Sequence, residues 1–131
     1  MDYERARTYL LLKPEAVEDF PFGPDVAVMK VQNKMFATLS YHNGLATMNL
    51  KCEPNEALLL RDMHSAVLPG YHMNKRHWNT LLLDDTIAAS EIERMIDASF
   101  ALVVKGLKRA ERTALEIRHG KDALYRGQIH V

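Results

Sequence analysis

Asn43-Gly44 constrains this chain more than any other pair of residues. It sits between two runs that alternate apolar and polar side chains, Lys34 to Tyr41 and Ala46 to Lys51. A two-residue reversal of type I′ needs positive φ at both central positions, which asparagine and glycine tolerate. With that pair as the turn, Ser40 faces Thr47 and Thr38 faces Asn49. Ala37, Leu39 and Tyr41 then share the other side with Leu50, Met48 and Ala46. One face is apolar and the other polar, the pattern of an antiparallel sheet covered on one side only.

The hairpin extends backwards. Val26 to Val31 reads as a strand, with Gln32-Asn33 as a second tight turn. Before it, Asp2 caps a helix over roughly Tyr3 to Leu12, and Lys13-Pro14 ends it because the residue before proline is pushed out of the helical region. Ala16 to Phe20 forms a short strand. In the loop Phe20-Pro21-Phe22-Gly23-Pro24-Asp25, the prolines and glycine forbid regular structure and the phenylalanines are expected to plug the core.

After the meander, Pro54 at a first helical position opens a helix over about Asn55 to His64. Leu68-Pro69-Gly70 breaks the chain, Tyr71 to Met73 reads as a short strand, and Trp78 to Leu83 as a clearer one. Ser90 and Glu93 fit a capping box. The helix they open carries Ile92, Met95, Ile96, Ser99, Phe100 and Val103 at helical spacing, with Gly106 as a left-handed stop. A helix over about Arg109 to His119 ends at Gly120, and Ala123 to Val131 reads as a polar-basic tail. Grouped, hairpin-joined strands with helices before and after them give an α+β class. The expectation is two layers, one antiparallel sheet with helices packed on one face. Residues 1–107 form the main domain and 108–131 a basic C-terminal helix and tail.

Charge enters the argument through its distribution. Seventeen Lys plus Arg balance seventeen Asp plus Glu, so the chain lacks the basic excess usual in non-specific nucleic-acid binders. The end is nevertheless basic: Lys105, Lys108, Arg109, Arg112, Arg118, Lys121 and Arg126 stand against Glu111, Glu116 and Asp122. One cysteine, Cys52, leaves no internal disulfide and no cysteine-based zinc cluster. Charges spread through the first twenty residues leave no signal-peptide core, and no apolar run approaches the ~20 residues that span a bilayer. A cytoplasmic protein without a membrane partner is expected.

Chemistry is concentrated in Gly70-Tyr71-His72-Met73-Asn74-Lys75-Arg76-His77-Trp78-Asn79-Thr80, which holds two cations, two imidazoles and the chain's one tryptophan without a carboxylate. His64, His72 and His77 are poorly spaced for zinc, and no acid lies between Ser65 and Leu83, so no metal or cofactor is expected. Glycine-rich phosphate loops and nucleophile elbows are absent from the sequence. Cys52 has Lys51 beside it but reads as a buried thiol, and the reading is non-enzymatic. An enzyme using His72 or His77 as a base is the weakest alternative. Lys75 and Arg76 suit phosphates, Asn74 and Asn79 sugars or base edges, and His77 or Trp78 stacking, with Lys51 on the polar sheet face beside them. The plain alternative is a core tryptophan, a turn closed by Asn74 and solvated cations.

This stretch, with Leu12-Lys13-Pro14, Phe20-Pro21-Phe22-Gly23, Lys34-Met35-Phe36-Ala37 and Asn49-Leu50-Lys51-Cys52, resembles the MmcQ/YjbR family over about residues 3 to 107. The resemblance implies an α+β fold and a DNA-binding protein with a double wing of β-hairpins. Those wings fall at Gln32-Asn33 and Asn43-Gly44, or at one of these and the Lys75-Arg76 turn. Lys51, Asn74, Lys75, Arg76, His77, Trp78 and Asn79 are the candidate nucleic-acid or ligand-binding residues. The first two tips carry only Lys34 and His42 as cations, so an interaction module that takes a protein segment or a small anionic ligand on the open sheet face stands as the alternative.

Overall fold

The computed structural model describes residues 1–127. Its elements are α1 (Tyr3–Leu11), β1 (Val17–Asp19), β2 (Val26–Val31), β3 (Lys34–His42), β4 (Leu45–Lys51), α2 (Pro54–Met63), β5 (Val67–Pro69), β6 (Trp78–Leu82), α3 (Ala89–Lys105), α4 (Arg109–His119) and α5 (Lys121–Leu124). The strands make one antiparallel sheet in the order β1-β2-β3-β4-β6-β5. Among the described residues no helix is long and apolar enough to cross a membrane.

Both turns of the meander have the expected backbone. Gln32 and Asn33 take φ of 47° and 63°, and Asn43 and Gly44 take 52° and 79°. Register follows from the second turn: Ser40 pairs with Thr47, Thr38 with Asn49, Leu39 with Met48 and Ala37 with Leu50. Because side chains alternate across a strand, Ala27, Met29, Ala37, Leu39, Ala46, Met48, Leu50 and Leu81 all fall on one face and are buried. The helices pack there. Phe100 of α3 meets Phe36 edge-on at 5.1 Å, and Leu115 of α4 and Leu124 of α5 are buried in the same core. Leu115, Leu124 and Tyr125 thus belong to the same core as the sheet and α3. Within the expected tail, Lys121–Leu124 is helical, and residues 128–131 lie outside the described region.

Ser99 of α3 ties the helical layer to the sheet. A bulge in the β2–β3 pairing leaves Phe36 without a partner across the strand, since Met29 pairs with Ala37 and Lys30 with Met35. At that height the buried Ser99 hydroxyl donates to the Phe36 carbonyl at 2.6 Å and accepts from the Lys51 amide at 2.8 Å. A helix side chain therefore bridges β3 and β4 just past Ala37–Leu50, the pair at which their own register ends. A second tie is buried: Lys13, at the end of α1, donates to Asp97 of α3 at 2.8 Å, and Tyr9 donates to the same oxygen at 2.8 Å.

Several local expectations are corrected. Phe20 and Phe22 are exposed, at 45% and 72%, because the 20–25 loop leaves the edge strand β1 at the rim of the sheet, away from the core. The Ser90–Glu93 capping box does not form. Helix α3 starts at Ala89 after Ala88, with no side-chain cap. Ile87 and Ile92, at the positions of a hydrophobic staple, are both buried and set that earlier entry. Gly106 is right-handed, at φ −86°, and its amide still bonds to the Leu102 and Val103 carbonyls. Tyr71 to Met73 is a turn; the strand beside β6 is instead β5.

Ser99→Ala strands one buried donor and one buried acceptor. It is expected to lower unfolding free energy by about 2–3 kcal/mol, with the cost of unsatisfied buried groups as the cause. In urea this reads as a lower midpoint at unchanged slope.

Candidate nucleic-acid interface

The sheet face turned away from the helices carries Lys30, Thr38, Ser40, Thr47, Asn49, Lys51, Trp78 and Thr80, as the registers require. Its centre is a cross-strand polar row. The Asn49 amide donates to Thr38 Oγ1 at 2.8 Å, and Thr80 donates to Asn49 Oδ1. Ser40 and Thr47 lie 3.3 Å apart in the neighbouring row. These groups satisfy one another, so the middle of the face is polar but nearly uncharged.

Cations gather at one end of it. Lys51 and Trp78 are direct cross-strand partners, and the chain between β5 and β6 folds up beside them. Gly70 donates to the Trp78 carbonyl at 3.0 Å, and the Cys52 amide donates to His77 O at 2.8 Å, extending both ladders past the strand ends. Asn74 Oδ1 accepts from the Arg76 amide at 2.9 Å and Asn74 O from the His77 amide at 3.1 Å, which closes the tip. Lys75 Nζ lies 5.0 Å from the centre of the Tyr71 ring, a cation–π contact at the surface. Lys51, Lys75 and Arg76 make no ion pair among the described residues.

Arg61 of α2 clamps this turn to the sheet. Its guanidinium donates to Asn79 Oδ1 at 2.7 Å, to the Trp78 carbonyl at 3.3 Å and to the Lys75 carbonyl. The sequence reading had no role for Arg61. Its signal is an arginine on the inward stripe Ala57, Leu60, Arg61, where a buried-side cation needs fixed acceptors. The same clamp corrects Asn79. Alternation places it on the helix face, 1% exposed, where it accepts from Arg61 and donates to Ala57 O at 3.4 Å. Asn79 is therefore a positioning residue with no surface to offer a ligand.

Of the remaining candidates, Lys51, His77 and Trp78 are half-buried and Asn74, Lys75 and Arg76 exposed, all at one corner. Glu53 is the acid nearest in sequence. Its carboxylate caps α2 by accepting from the Asn55 and Glu56 amides at 3.0 Å each, and these bonds, with His77 nearby, hold its pKa below the usual value. Burial pushes the Cys52 thiol up to about 11, far from the thiolate a nucleophile needs. Among the described residues no three His, Cys, Asp or Glu side chains converge as metal ligands do.

The Gln32-Asn33 tip lies at the same end of the sheet as Lys51, since Lys30 and Val31 close that end of β2. Asn43-Gly44 projects from the opposite end, where Leu83 bonds to Ala46 and leads into Asp84-Asp85. Only the first hairpin and the 74–77 turn flank the cationic corner.

The family model for YjbR matches residues 11–102. The chain belongs to the YjbR family. It is 35% identical to protein YbdF of Escherichia coli O157:H7 over 118 residues, 90% of this chain and 95% of that one. It is 34% identical to YjbR of Escherichia coli K12 over 107 residues, covering 82% and 91%. The crystal structure of Deinococcus radiodurans protein DR2400, a DUF419 domain, superposes with a TM-score of 0.84 at 32% identity over 98% of this chain and 96% of that one. A Pseudomonas syringae protein gives 0.69 at 30% identity over 78% of this chain and 98% of its own. The YjbR match stops inside α3, so α4 and α5 lie beyond it.

Gly70 is the tightest point of the corner. A Cβ there would meet Trp78 Cβ and the Trp78 carbonyl oxygen at 2.9 Å. Gly70→Ala is expected to cost about 1–3 kcal/mol, as overpacking does, and to speed hydrogen exchange at the Gly70 and His77 amides. Unchanged exchange at both would mean that the turn is held without this contact.

Proposed function

We propose that this YjbR domain binds nucleic acid, DNA in the first instance, without catalysing a reaction on it, through the corner built by Lys51, Trp78 and the Asn74–His77 turn. The observation that carries the reading is the cross-strand pair Lys51–Trp78, on the helix-free face, beside two exposed cations with no carboxylate partner. Lys75 and Arg76 supply phosphate contacts, and Asn74 has an exposed amide for sugar or base edges. Trp78, half-buried on the same face, offers its ring to a base, and base–aromatic stacking is worth about 1–3 kcal/mol per base. The flanking Gln32-Asn33 hairpin and the 74–77 turn take the place of two wings. The raised Cys52 thiol fits a structural rather than nucleophilic cysteine.

The second reading, a protein segment or small anionic ligand on the open face, draws on the Thr38–Asn49–Thr80 row, which is polar where a phosphate track is basic. Salt separates the two. Labelled single- and double-stranded DNA are titrated by anisotropy at several salt concentrations, while the emission of the lone Trp78 is followed. The expected result is a steep salt slope that becomes shallower by about 1.5 in the Lys75→Ala, Arg76→Ala protein, near 0.7–0.9 for each lost phosphate contact. Trp78 emission is expected to be quenched by single strands. No binding at low salt, or a slope the double substitution leaves unchanged, would overturn the reading and move attention to the polar row.

A further inference from the structure

We propose that the groove enclosed by the end of α3, α4 and α5 is a separate binding surface for phosphate-bearing polyanions. It rests on the nucleic-acid reading only for its ligand class, because none of its residues belongs to the corner. Lys105, Arg112, Lys121 and Arg126 line the groove, together with Glu116 and Asp122 as its acids. Glu116 is already engaged, accepting from the Tyr125 hydroxyl at 2.7 Å. None of the four cations makes an ion pair among the described residues. Lys105 Nζ stands 5.5 Å from the centre of the Tyr125 ring, and Arg112 donates to the Lys105 carbonyl at 3.3 Å. Four cations thus face two carboxylates across one concavity, an excess of positive charge that draws an anion.

The walls are fixed. Leu115 and Leu124 are fully buried, which pins α4 and α5 into the core. The α4–α5 corner is turned by Gly120 at φ 83°, a conformation that suits glycine. The far end of α4 is latched: Glu15 accepts from Arg118 Nε at 2.7 Å and Nη2 at 3.1 Å, and pairs with His119 Nε2 at 2.7 Å. Gln32 at the hairpin tip donates to the same carboxylate at 3.1 Å. The Arg118 and His119 bonds hold the Glu15 pKa down to about 2. Cations on walls already ordered lose little freedom when a ligand binds. The groove is an open concavity of about 1160 Å³, with room for more than one linked phosphate.

The latch carries a pH expectation. Glu15 is depressed from 4.5 to about 2 in the folded state, so its contribution is complete above pH about 4.5 and is lost as pH falls towards 2. Backbone amide shifts of Arg118 to Gly120 should move across that window in the wild type and be insensitive to it in Glu15→Gln. Equal titration of both proteins would remove the latch.

The groove is tested with tripolyphosphate, followed by calorimetry and amide shifts at low ionic strength. Three proteins are compared: the wild type, Arg112→Gln with Lys121→Gln and Arg126→Gln, and Lys75→Ala with Arg76→Ala. The expected result is binding in the wild type, with shifts centred on residues 105–126, weakened at least tenfold in the first variant and retained in the second. Absent binding, or equal loss in both variants, would overturn the proposal. The DNA titration is run on the same three proteins. DNA binding lost only in the Lys75/Arg76 variant leaves the corner standing and shows that the groove's polyanion is not DNA. Loss only in the groove variant supports the groove with DNA as its ligand and overturns the corner.

Discussion

The hydroxyl of Ser99 is the contact on which the functional geometry depends. It joins the Phe36 carbonyl to the Lys51 amide, so the longest helix is fixed to the sheet at the row where the candidate ligand face becomes cationic. From Lys51 the support runs outward through the backbone: Cys52 to His77, Gly70 to Trp78, and Arg61 across to Lys75, Trp78 and Asn79. Each step is a backbone bond or a bond from a side chain with few alternatives. A turn rich in long flexible cations is thereby held by groups that are themselves rigid, which is what a recognition surface outside regular structure requires.

The Lys13–Asp97 pair performs the complementary task two residues earlier on α3, where it fixes α1. Two charges some 93% removed from solvent are costly to bury, and their attraction is offset by that desolvation. What compensates is the surroundings. Tyr9 adds a second donor to Asp97, and Lys13 lies 5.2 Å from the centre of the Phe100 ring. Such a pair contributes little net stability against an apolar replacement, yet it tolerates only one docking of α1 on α3. The Leu12-Lys13-Pro14 motif thus combines a helix stop with a charge whose place in the core is specific.

The meander was legible because its signals are local. Asn43-Gly44 and strict alternation decide both register and facing, and no distant contact overrides them. The face of Asn79 needed the register of β6, which a single strand with polar residues on both sides does not reveal. Ser90 and Glu93 had the composition of a cap, but burial of Ile87 and Ile92 set the entry earlier, since tertiary packing outweighs about 1 kcal/mol of capping. Phe20 and Phe22 failed for a topological reason: nothing in the residues says that β1 is an edge strand. Six of the candidate residues, Lys51 and Asn74 to Trp78, lie at one corner of the sheet because β4 and β6 pair there. Arg61, which holds them, was hidden because its partners, two of them backbone carbonyls, lie 14 to 18 residues on, in the turn and at the start of β6.

Net charge is a poor guide to polyanion binding in this molecule because its charges are both paired and separated. Glu15, Glu18, Asp19, Glu91 and Asp97 are held by Arg118, Arg7, Lys30, Arg94 and Lys13, which removes ten charges from the outer field almost in balance. Of the others, Asp84 and Asp85, the latter paired with the N-terminal ammonium, sit beyond the Leu83 end of the sheet, while Lys51, Lys75 and Arg76 sit at the other. The seven residues of β4 separate these ends, a length of roughly 23 Å at 3.3 Å per residue. That exceeds the Debye length of about 8 Å at physiological ionic strength. A phosphate approaching the corner therefore meets the local cations with Asp84 and Asp85 screened and the nearby Glu53 carboxylate turned to the Asn55 and Glu56 amides. A formal charge of zero is no obstacle to binding an anion there.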